Sequence, residues 1–150
     1  FYKDQNYIKK RYFEHPFYQY QVFGIGKEDA TTSLLITREI SINHSKVLRI
    51  IDFIGAEEDI AGIGLELQKI LKANDYEYID FYQYGISEDV LNTAGFVKRE
   101  KKDENIIPNY FEPFEKKNVD IHFSTNVNEN KYYIFKGDGD QDRPNLLPGE

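Results

Sequence analysis

The chain has 150 residues, 40% of them hydrophobic and 30% charged, and carries a net charge of −7. One domain of this length buries about two-thirds of its unfolded surface, no apolar run reaches the ~20 residues of a bilayer-spanning helix, and no signal peptide opens it. The acidic balance argues against nucleic acid or a membrane surface as partner, and the absence of cysteine excludes disulfides and thiolate metal sites, as expected of a cytoplasmic protein.

The sequence starts at Phe1 and contains no methionine, so it reads as the later part of a longer chain, with an upstream domain as a partner. Residues 1–14, FYKDQNYIKKRYFE, predict a short helix that Pro16 ends by His15. FYQYQVFGIGK (17–27) alternates as a strand, and TSLLITREISI (32–42) and KVLRIIDFIG (46–55) are two more. The polar NHS at 43–45 joins the last two as an antiparallel hairpin; it also spells a glycosylation acceptor, but the turn reading is sufficient. Ile60, Ile63, Leu67, Ile70 and Leu71 then form one stripe of a helix over 58–73, ending near Asn74. YEYIDFYQYG (76–85) is a tyrosine-rich strand, SEDVLNTAG a short helix and FVKREKK another strand. After a proline-punctuated stretch, VDIHFS and KYYIFKG predict a closing strand pair, followed by the polar tail DGDQDRPNLLPGE. This order predicts an α+β fold with a mostly antiparallel central sheet, in which strands 46–55 and 76–84 are parallel neighbours joined by the crossing 58–73 helix.

The stretch EEDIAGIG (57–64) stands where that helix opens. Two glycines at a helix amino terminus have two readings. Bare backbone there lets unpaired N–H groups and the positive end of the helix dipole hold a phosphate. Equally, it lets the helix sit close on its neighbours. The glutamates and aspartate at 57–59 are stabilising in a first helical turn without any ligand.

The order of hairpin, DIAGIG helix, YEYIDFYQYG strand and short helix ending in AGF resembles the GCN5-related N-acetyltransferases (GNAT), of the kind found in surface-polysaccharide gene products. The opening RYFEHPFYQYQVFGI is similar to the early segment of such domains. The resemblance implies a GNAT-like sheet with acetyl-CoA as cofactor. Its pyrophosphate would lie on the Gln/Arg-x-x-Gly-x-Gly/Ala turn, matched here by Asp59, Ile60, Ala61, Gly62, Ile63 and Gly64. It also implies transfer of an acetyl group to a small-molecule amine such as an amino sugar. Two positions depart from the family's pattern: Asp59 replaces its Gln/Arg, and Leu91 stands where many members carry a proton-donating tyrosine four residues before Gly95-Phe96. A degenerate, non-catalytic GNAT-like domain with a structural or partner-binding role is the alternative.

By alternation Asp52 shares a face with Leu48, Ile50 and Ile54, while Arg49 faces the other way with Val47, Ile51 and Phe53. The resemblance makes Asp52 the first candidate for the base that deprotonates the amine, and Asp80 on the next strand the second. Pairing of each with an arginine across the sheet is the structural alternative. Tyr84, with Tyr78 and Tyr82, is a candidate for the missing acid, although tyrosine is also simply a good strand residue. His15, His44 and His122 lack ligand-like spacing. Asp138, Asp140 and Asp142 match the start of a calcium loop, but Arg143 occupies its glycine position, so a cap folded back by Arg143 is expected and no metal site.

Overall fold

The β-branched and aromatic run SKVLRIIDFI at 45–54 becomes the central strand of the domain. The computed structural model describes residues 3–27, 30–42, 44–109, 117–126, 131–139 and 142. These form α1 (Gln5–Ile8) running into a π-helical turn (Lys9–Phe13), then β1 (Gln21–Lys27), β2 (Ala30–Ile42) and β3 (Ser45–Ile54). There follow α2 (Glu58–Ala61), α3 (Gly64–Asn74), β4 (Ile79–Phe81), β5 (Gln83–Tyr84), α4 (Glu88–Thr93), β6 (Ile134–Phe135) and a 3-10 turn (Lys136–Asp138).

The architecture is α+β. One sheet has the order β1-β2-β3-β4 and is antiparallel except for β3–β4, and a separate ladder pairs β5 with β6. The parallel β3–β4 pair, joined through α2 and α3, is the arrangement expected for 46–55 and 76–84. It extends over three pairs, Leu48–Ile79 to Ile50–Phe81, before the chain leaves the sheet to pair with β6. Among the described residues no helix is long and apolar enough to cross a membrane.

Both faces of β3 are covered. On one, Ile50 and Phe53 pack with Ile60, Ile63 and Leu67 from α2 and α3 and with Phe135 from β6. On the other, Ile36 and Ile51 pack with Tyr12, flanked by Tyr7 and Ile8 of α1. Burying each large aliphatic side chain contributes about 1.5–3 kcal/mol.

Along β3 strict alternation fails at one point. Ile36 pairs with Asp52 and Thr37 with Ile50, which leaves Ile51 as an extra residue in the ladder. This bulge turns Phe53 to the Ile50 side and Asp52 to the Tyr12 side, correcting the face expected for both.

Other elements are shorter than their patterns. The amino-terminal helix spans only 5–13, capped by Asp4, whose carboxylate accepts from the Tyr7 N–H at 2.8 Å. Residues 17–20 are not strand, because the His15 ring accepts from the N–H groups of Phe17 and Tyr18 and stacks on Tyr18. The 58–73 helix is interrupted at Gly62–Ile63, yet Ile60, Ile63 and Leu67 all reach the same core. Residues 96–102 form no strand: five of the seven are charged, Val97 is exposed, and Lys98 pairs with Glu88. Residues 119–124 form no strand either, and β6 pairs with β5 instead. Asn43 of the hairpin turn lies outside the described residues; His44 beside it has φ of 70°.

Candidate functional site

The glycine turn follows β3 directly. Asp59 stands in front of it, and its carboxylate accepts from the hydroxyls of Ser33 at 2.5 Å and Thr32 at 2.8 Å. These bonds hold the Asp59 carboxyl below its ordinary range, so it is an anion at neutral pH. Glu57 is ion-paired to Lys131 at 2.7 Å.

Four amides of the turn are engaged internally. Asp59 donates to the Ala56 carbonyl, Ile60 to Glu57, and both Gly62 and Ile63 to Ile60. The two glycines also differ. A Cβ at Gly64 would lie 2.6 Å from the Ala94 carbonyl oxygen after α4, whereas at Gly62 the nearest atom is the Asp59 oxygen at 3.8 Å. Gly64 is therefore required by packing of α3 on α4, and Gly62 is not.

Asp52 is fully buried. Its Oδ2 accepts from the Tyr12 hydroxyl at 2.5 Å, and its Oδ1 accepts from Lys3 Nζ at 2.5 Å and from the Phe53 N–H at 2.8 Å. Burial pushes its carboxyl upward from the ordinary range, while Lys3 and Tyr12 pull the other way. Lys3 also bridges to Asp138 at 2.7 Å. The cation expected beside Asp52 is thus a lysine from the amino-terminal segment and not an arginine across the sheet.

Asp80 does pair with an arginine. Arg49 Nε lies 3.0 Å from both its oxygens and Nη2 lies 2.7 Å from Oδ2, while the remaining Arg49 donors reach the carbonyls of Pro108 and Asn109. Burial works to lower the Arg49 pKa, and Asp80 outweighs it, so the guanidinium stays charged.

The 3-10 turn at 136–138 joins the two networks. Lys136 Nζ donates to the carbonyl of Asn109 at 3.0 Å and to its Oδ1 at 2.6 Å, while Asp138 binds Lys3. Arg38 pairs with Asp142, which also accepts from the Tyr20 hydroxyl at 2.5 Å. Asp138 and Asp142 are thus tied to cations of the domain; Asp140 and Arg143 lie outside the described residues. Among the described residues no three His, Asp or Glu side chains are grouped to hold a metal.

Tyr84 is 48% exposed, and its ring meets Phe123 and Tyr132, neither of them a candidate. Leu91 packs against the main core. Lys3, Tyr12 and Lys136, which organise the polar face, escaped the sequence reading. The available signal was Lys136 itself, a cation set directly after the apolar run YYIF. No protein-family model, curated protein or solved structure matches this chain.

Proposed function

We propose that this is a non-catalytic GNAT-like domain with a structural or partner-binding role, in which the glycine turn is a packing joint between α3 and α4. The observation that carries this reading is the internal bonding of the turn. A pyrophosphate needs amides that point outward and a neutral or cationic side chain before them. Here the amides at 59, 60, 62 and 63 already have acceptors, and an anion held by Ser33 and Thr32 stands in front. The GNAT-like part of the reading is supported by the parallel β3–β4 pair joined through α2 and α3, and by Gly95-Phe96 after α4.

Isothermal titration of acetyl-CoA tests this reading. Wild type gives no saturable heat, and Asp59→Arg gives none either, because removing the anion leaves the amides engaged. Micromolar binding by either protein overturns it.

A second reading is acetyl transfer from acetyl-CoA to a small-molecule amine. One observation favours it: the buried Asp52, whose carboxyl is pushed upward in the direction a general base requires. Under that reading Asp52→Asn abolishes turnover while acetyl-CoA still binds.

A further inference from the structure

Between β5 and the stretch 120–123 lies a cleft of about 470 Å3. Its walls include the rings of Tyr82, Tyr84 and Phe123 and the basic side chains of Arg99 and Lys136. Tyr84 and Phe123 meet edge to face at 5.0 Å and are 48% and 45% exposed, so part of their ring surface is open.

Among the described residues, Arg99 differs from the other arginines in having no side-chain partner. Arg49 pairs with Asp80, Arg38 with Asp142, and Arg11 donates to the Tyr20 hydroxyl. Arg99 Nη2 donates to the Val119 carbonyl at 2.8 Å, but its Nη1 is buried without a hydrogen-bond partner. Among the described residues no carboxylate forms an ion pair with it. The one acid on the cleft wall, Asp120, is tied to Lys101 at 2.5 Å. An unmet guanidinium donor away from water costs the fold free energy, and the Arg99 side chain lines a cleft in a chain of net charge −7. A carboxylate or phosphate supplies what it lacks, since both match the planar donor fork of arginine.

We propose that this cleft binds a small organic anion carrying a flat apolar ring, with the anionic group on Arg99 and the ring against Tyr84 and Phe123. Aromatic walls and a single placed charge are the usual division of labour in small-ligand sites: the rings supply contact area and the cation supplies orientation. The Lys136 amine lies 4.8 Å from the Tyr82 ring of the same wall. The inference does not rest on the reading of the glycine turn, which involves none of these residues.

The test titrates phenyl phosphate and benzoate into the chain, followed by amide chemical shifts. Benzyl alcohol supplies the ring without charge, and inorganic phosphate the charge without the ring. At least one ring anion binds saturably, with shifts centred on 82–84, 99 and 121–123, and the tighter of the two identifies the anionic group. Arg99→Gln weakens that binding about ten- to a hundredfold, the loss of one charge-assisted contact. Phe123→Ala weakens the ring anions and leaves inorganic phosphate unchanged. Equal binding by wild type and Arg99→Gln, or inorganic phosphate matching phenyl phosphate, overturns the proposal. Absence of saturable binding by both ring anions does the same.

Discussion

A buried lysine beside an arginine can shed its proton or gather acceptors, and Lys136 does both. Its amine donates twice to Asn109, and burial, with Arg49 second, lowers its pKa to about 7. The unfolded chain keeps that proton until about pH 10.4. Below pH 7 both states are protonated and the cost of the buried ammonium is present in full. Between pH 7 and about 10 the unfolded chain alone holds the proton, so the fold gains stability as pH rises. Urea unfolding at pH 7, 8 and 9 therefore shows wild type gaining on Lys136→Met by up to about 1.4 kcal/mol per pH unit. A pH-independent difference between the two proteins would show that the amine is not neutralised by the fold. Asp52 illustrates the opposite solution, keeping its buried carboxylate by taking Lys3, Tyr12 and the Phe53 N–H as partners.

At the level of elements, the glycine turn separates two demands that look alike in sequence. A phosphate cradle needs both glycines bare, whereas the packing joint needs only Gly64. Gly62 ends α2 with φ −83 and ψ −11, a conformation alanine adopts freely, and nothing crowds it. Gly62→Ala is therefore expected to stabilise the protein by about 0.4–1 kcal/mol through the unfolded chain. Gly64→Ala forces α3 and α4 apart against the Ala94 carbonyl and costs about 1–3 kcal/mol. Thermal melts of the two variants decide the matter, and effects of the same sign would remove the packing joint. The β3 bulge is a second such element, since one extra residue at Ile51 moves Asp52 from one face of the sheet to the other.

For the whole molecule, the decisive segment is the last one described. Phe135 stacks on Phe81 at 5.7 Å and meets Phe53 edge to face, and Lys136 and Gly137 are buried with it. Residues 135–137 are thus core, and the segment 131–138 that carries them ties the glycine turn, through Lys131–Glu57, to the amino-terminal segment, through Asp138–Lys3. Phe135→Ala should cost about 3–5 kcal/mol, and a chain ending at residue 130 should lose its cooperative melt; a truncated chain that melts like wild type would make the segment peripheral. The sequence by itself determined the α+β class, the β2–β3 hairpin, the stripe of Ile60, Ile63 and Leu67, and the parallel relation of β3 and β4. The first three follow from side-chain periods and turn residues within a few positions of one another, and the parallel relation from the strand–helix–strand order with the GNAT resemblance. Only the tertiary structure decided the face of Asp52, the partner of β6, the packing role of Gly64 and the polar network. Each depends on groups far apart in the chain, as Tyr12 is from Asp52 or Gly64 from Ala94, and no local pattern records which distant donor fills a buried acceptor.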